Sequence, residues 1–205
     1  MVRRSINNND NADLDVAPTL HEIKYSVFSI DLDSAASPDG LNGIFYQTSW
    51  GIIVEDLHKV VVYFFQGVNL PKFFTHTCIV LLPKVEAPQE FKDFSNISLC
   101  NVSGKIISKV INNRLSRILP KIISHNQSGF VKGRSIADNV LLAQEIISDI
   151  PKPKKGKNMV IKLDMAKAYA TVSWPFLCFM MRQMGFSKNR LISSSDLSPT
   201  IGTPW

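Results

Sequence analysis

The chain has 205 residues, 45% of them hydrophobic, and a formal charge of +6, which is enough for one full core and too apolar for a disordered chain. No apolar run approaches the ~18 residues of a membrane span, and Met1-Val2-Arg3-Arg4 is followed by Asn and Asp; a chain without signal peptide or transmembrane segment is expected, intracellular in nucleus or cytoplasm, with no membrane partner. Its three cysteines, Cys78, Cys100 and Cys178, are far apart and lack metal-type spacing, the pattern of free thiols in a reducing compartment.

Residues 1–17 are polar, Asn/Asp-rich and without period, and are expected to be a disordered tail. Thr19 with Glu22 three places on is a capping-box signature, and Leu20, Ile23, Val27 and Ile30 then recur at helical spacing. Ser37-Pro38-Asp39-Gly40 is turn chemistry, with Gly40 accepting positive φ. A second helix is predicted over 48–65, with Trp50, Ile53, Leu57, Val61 and Phe64 or Phe65 as its apolar stripe. Phe74–Leu82 reads as a strand, and the solitary His76 has no partner at ligand spacing. Residues 85–98 read as loop, with a short strand near 96–99.

Ser103 is the expected cap of a strong amphipathic helix, with Ile107, Ile111, Leu115 and Ile118 on one face and Lys105 and Lys109 on another. Pro120 should end or kink it. Charge divides along the chain: residues 1–58 carry nine acids and three bases, whereas 59–205 carry twenty bases and eight acids. From Phe94 to Ala137 there is no acid at all, yet Lys105, Lys109, Arg114, Arg117, Lys121, Lys132 and Arg134 fall there. Such a stretch suits a phosphate-facing surface, and equally a solvated basic helix face. Residues 126–134 form a glycine-punctuated loop, Ser135 and Asp138 open a further helix to about Asp149, and 151–158 is a basic turn.

Met159 to Met165 alternates as a strand would, with Met159, Ile161, Leu163 and Met165 on one side and Val160, Lys162 and Asp164 on the other. That places Asp164 at the strand exit, a common position for a metal ligand or catalytic acid, and also for a solvated aspartate opening a turn. Helices and strands alternate irregularly, which favours an α+β fold, helix-rich with a few antiparallel strands, over a doubly wound parallel sheet.

From Ser37 to about Gly185 the chain resembles the reverse transcriptase of LINE-type (non-LTR) retrotransposons, the kind abundant in plant genomes. The resemblance is carried by Ser37-Pro38-Asp39-Gly40 with Phe45-Tyr46 and Trp50; by Leu81-Leu82-Pro83-Lys84, Ile97-Ser98-Leu99 and Asn113-Arg114-Leu115; by Gln127-Ser128-Gly129-Phe130 with Gly133-Arg134-Ser135-Ile136; and by Lys162-Leu163-Asp164-Met165-Ala166-Lys167-Ala168-Tyr169. It implies a partial reverse transcriptase over 18–188, fingers and the first part of the palm, followed by an unrelated or disordered tail over 189–205.

The resemblance also implies roles. Asp164 would be the first metal-binding catalytic aspartate, with the backbone carbonyl of Met165 as a further ligand for Mg²⁺ or Mn²⁺. Tyr169 would pack under the incoming sugar and Lys84 would contact the triphosphate. Lys105, Lys109, Arg114, Gln127, Lys132 and Arg134 would face an RNA template and an RNA–DNA duplex. The sequence departs from the family at Ser95-Asn96, where Arg-Pro is usual, and at Ala170-Thr171, where an acid and an Arg are usual. The resemblance would also lead to an aromatic-Xaa-Asp-Asp block downstream and an endonuclease domain upstream, and neither is found within these 205 residues. The expectation is therefore a truncated RNA-directed DNA polymerase domain, inactive alone, binding metal weakly, and inclined to associate through an exposed palm strand edge. The alternatives are a non-catalytic basic nucleic-acid-binding module and an inert element remnant.

Overall fold

The computed structural model describes residues 5–33, 37–74, 76–150, 159–164 and 171–187. The expectations at Met165, Tyr169 and Ala170, the basic turn 151–158 and the tail 189–205 lie outside the described residues. Within them the fold is α+β: helices gathered around one long central helix, with a single two-stranded antiparallel sheet.

The reciprocal box forms as predicted. Thr19 Oγ1 accepts from the Glu22 N–H at 3.2 Å and the Glu22 carboxylate accepts from the Thr19 N–H at 3.0 Å, opening α2 (Leu20–Phe28). The turn at 37–40 also forms: Gly40 takes φ +79°, and Ser37 Oγ donates to the Cys100 carbonyl at 3.2 Å. Asn42 caps α3 (Gly43–Thr48) through the Phe45 N–H. Gln47 of α3 donates to the carbonyls of Val27 and Ile30, both at 3.1 Å, and so closes the C-terminal end of α2. The start of α3 approaches the segment after α2 closely at Gly43, where a Cβ would stand 3.1 Å from Ile30 Cγ2 and 3.2 Å from the Asp31 carbonyl oxygen. The Ser37-to-Tyr46 motif is thus a clamp between α2, α3 and the sheet.

α4 (Trp50–Phe65) buries Leu57, Val61 and Phe64 as its stripe predicts. They meet Ile23 and Val27 of α2, Tyr46 of α3, and Val102, Ile106, Ile107 and Val110 of α5 (Val102–Ile122) in the main core. Each aliphatic side chain buried there is worth roughly 1.5–3 kcal/mol. The start of α5 differs from expectation. Asn101, not Ser103, is its N-cap residue, and Ser103 Oγ instead donates to the Phe74 carbonyl at 2.8 Å, tying α5 to the segment before the sheet. Pro120 sits in the last turn and the helix continues only to Ile122.

The tail expectation is corrected over the described residues. α1 (Asn8–Asp15) is a helix with a reciprocal box between Asn7 and Asp10. Ile6 and Leu14 are buried against Ile118 of α5 and Phe186, with Leu115, Ile122, Met181 and Met184 around them. Polar composition hid this helix, because two apolar side chains suffice when a preformed groove receives them.

β1 (Thr77–Pro83) and β2 (Phe94–Cys100) pair antiparallel from Thr77↔Cys100 to Pro83↔Phe94. β2 is longer than the strand expected near 96–99. Its early residues, Phe94 and Ser95, show no alternation of their own and are held by the ladder. The turn between the strands is closed by Asp93, whose carboxylate accepts from the N–H groups of Gln89 and Glu90.

The strand expected over 159–165 does not form over its described part. Residues 159–164 join no ladder, and Met159, Val160, Ile161 and Leu163 are all exposed. A strand needs a neighbour for its backbone groups, and among the described residues none runs alongside. The palm strand edge is therefore not seen. α6 (Ile136–Asp149) follows its predicted span, without a side-chain bond from Ser135, and none of its side chains over 136–148 is buried. α7 (Trp174–Met184) is capped by Ser173 and ends at Gly185.

Candidate nucleic-acid interface

The acid-free stretch builds α5 and the loop after it, and the structure divides its cations by task. Arg114 is 4% exposed. Its Nε and Nη2 donate to the two Glu22 carboxylate oxygens, both at 2.9 Å, and its Nη1 to the carbonyls of Leu14 and Val16 at 3.0 and 2.6 Å. The guanidinium also lies 4.9 Å from the Phe65 ring centre. The expected nucleic-acid role of Arg114 is therefore corrected: the group is buried and engaged on every side, and it joins α1, α2, α4 and α5.

Arg134 is also engaged. Its Nη1 donates to the carbonyls of Ser124 and Gln127, and its Nη2 to those of Pro120 and Ile123. Pro120 lies in the last turn of α5 and Ile123 is its C-cap, while Ser124 and Gln127 belong to the loop, so Arg134 fastens the loop to the helix terminus. Lys121 pairs with Asp10 and Lys109 donates to the Ser29 carbonyl at 2.6 Å. Lys105 is half-buried, whereas Arg117, Gln127 and Lys132 face solvent. Gln127 Nε2 makes a 3.4 Å bond to the Gly129 carbonyl. Arg117 lies in none of the family motifs. Its place on the exposed face of α5 could have been found from the helical period.

Lys84 is exposed at the end of the β1–β2 hairpin, with Nζ 3.3 Å from the Lys92 carbonyl oxygen. Asp164 is exposed and lies in no helix or strand. Among the described residues no three His, Cys, Asp or Glu side chains gather to hold a cation. Mg²⁺ requires several converging oxygens, so the described donors do not fit a two-metal site and support no metal-borne step.

Three carboxyls are held below their ordinary values. The Arg114 guanidinium holds Glu22 below its ordinary value, against the effect of burial and helped by the Thr19 N–H. Lys121 does the same for Asp10, with the Asn7 N–H adding to it. The Gln89 and Glu90 N–H groups lower Asp93. Burial, with the Asp39 charge adding, raises the Tyr46 phenol.

Residues 83–199 match the reverse transcriptase (RNA-dependent DNA polymerase) family, a span that includes β2, α5, the loop, α6, Asp164 and α7 and runs on past Asn189. The chain belongs to that family. Two relatives are proteins of transposable elements. One is the transposon TX1 uncharacterized 149 kDa protein of Xenopus laevis, 28% identical over 174 residues, 84% of this chain. The other is the retrovirus-related Pol polyprotein from type-1 retrotransposable element R2 of Nasonia vitripennis, 25% identical over 142 residues, 68% of this chain. The chain spans 13% of the length of each relative. The family generally depends on divalent metal ions and acts on nucleic acid. No helix among the described residues is long and apolar enough to cross a membrane.

Proposed function

We propose that these residues are the fingers and the entry to the palm of an RNA-directed DNA polymerase, and that they hold template and primer without polymerising by themselves. The observation that carries this is the family match over 83–199, which contains Asp164 but no adjacent pair of aspartates. In this reading Asp164 and the backbone carbonyl of Met165 supply part of a metal site for Mg²⁺ or Mn²⁺, too few oxygens for tight binding. Tyr169 and Lys84 meet the incoming nucleotide, by resemblance alone. Lys105, Lys109, Gln127 and Lys132, joined by Arg117, follow the phosphates of an RNA template or RNA–DNA duplex, and Arg134 acts by holding the loop that carries Lys132.

Primer extension on an RNA template with Mg²⁺ or Mn²⁺ tests the catalytic half. No sustained incorporation is expected; incorporation that Asp164→Ala abolishes would overturn it. A second reading, a module that binds nucleic acid and takes no part in chemistry, is favoured by the acid-free run from Phe94 to Ala137. Both readings require binding that weakens with salt. About four phosphate contacts, at roughly −0.7 each on a single strand, lower the association constant about 50-fold when salt rises fourfold.

A further inference from the structure

Between the C-terminal half of α5 and the loop 127–134 lies an open cleft of about 490 Å³. Asn112 and Ser116 line its helix side, and Phe130 and Lys132 its loop side. Phe130 is unusual twice over. The residue is 88% exposed, and its backbone takes φ +62°, the left-handed region where a bulky L-residue is strained and glycine is not. Ser128 and Val131 on either side are buried, at 8% and 6% exposure, and Arg134 bonds the Gln127 carbonyl at 2.6 Å. The loop backbone is thus pinned at both ends, with the ring turned outward between them.

An exposed aromatic ring, a neighbouring carboxamide and hydroxyl, and a lysine, in a stretch that has no acid from Phe94 to Ala137, match the parts of one unpaired nucleotide. The ring offers a face to a base, Asn112 and Ser116 offer polar atoms to the base edge, and Lys132 offers charge to the phosphate. We propose that this cleft binds an unpaired nucleotide of single-stranded RNA with its base stacked on Phe130. The inference rests on the nucleic-acid-binding reading above and adds a contact that depends on the base as well as the backbone.

The test is fluorescence anisotropy of the full chain with a labelled single-stranded RNA and with the same strand made abasic. Phe130→Ala should weaken RNA binding about 5- to 100-fold, leaving abasic binding and the salt slope unchanged, while Phe130→Tyr keeps wild-type affinity. Phe130→Gly should lose the same affinity yet melt a few degrees higher, because the left-handed backbone suits glycine; this separates loss of the ring from loss of the fold. Wild-type affinity in Phe130→Ala, or equal losses on the RNA and abasic strands, would overturn the cleft and leave the binding reading standing. A wild-type chain that binds neither strand would overturn both.

Discussion

Arg114 sits on the helix that carries most of the basic stretch, yet its side chain is turned inward to Glu22 and to two backbone carbonyls. Removing one partner of a buried pair leaves the other desolvated and unmatched, so Arg114→Ala should lower stability by roughly 2–4 kcal/mol in urea unfolding. Arg114→Lys should recover only part, since a point charge cannot span both carboxylate oxygens. The pair also sets a pH dependence. Glu22 titrates lower in the folded chain than its ordinary value near 4.5, so its contribution is present above that value and is lost as pH falls through the folded value. Glu22→Gln, or Arg114→Ala, should flatten that acid limb of stability against pH. The Thr19–Glu22 box was legible because both partners lie within one turn. The Arg114 contact was not, because it joins residues 92 apart in sequence.

At the scale of elements, α6 has its predicted span and an unexpected surface. Ile136, Val140, Leu141, Leu142, Ile146 and Ile147 are each at least half exposed. Exposed Met159, Ile161 and Leu163, and Phe176 and Phe179 of α7, add to the apolar surface of the C-terminal half. Apolar area of this extent promotes association. The isolated chain should therefore elute as oligomer or aggregate by size exclusion with light scattering, and Leu141→Lys with Ile147→Lys should shift it toward monomer. A sharp monomer peak from the unaltered chain would contradict this. Periodicity made α6 legible as a helix, but periodicity says only that a face is apolar, not what covers it. The same limit explains residues 159–164, whose alternation is real while the partner strand that would use it is not among the described residues.

For the whole molecule, α5 carries both hydrophobic clusters, one on α2–α4 and the other on α1 and the end of α7. Ser5 and Ile6 donate their N–H groups to the Met184 carbonyl, and Asn11 and Asp15 bond Gly185 and Ser187. The N-terminal segment thus fastens the last described helix to the core. Leu14→Ala should cost about 2–5 kcal/mol. It should also open the 171–187 segment to limited proteolysis ahead of α2–α4, and equal protection of both regions would contradict this. What the sequence determined by itself was the family, through its ordered motifs, and the elements whose stabilising contacts are local: the box at Thr19, the turn at Gly40, and the periods of α4, α5 and α6. Tertiary structure alone decided that α1 is a helix, that Arg114 and Arg134 serve the fold, and that Phe130 faces solvent. Arg114 depends on partners distant in the chain, and Arg134 and Phe130 depend on how the loop between α5 and α6 folds on itself; α1 is capped locally by Asn7 and Asp10, but its burial needs the distant Ile118 and Phe186.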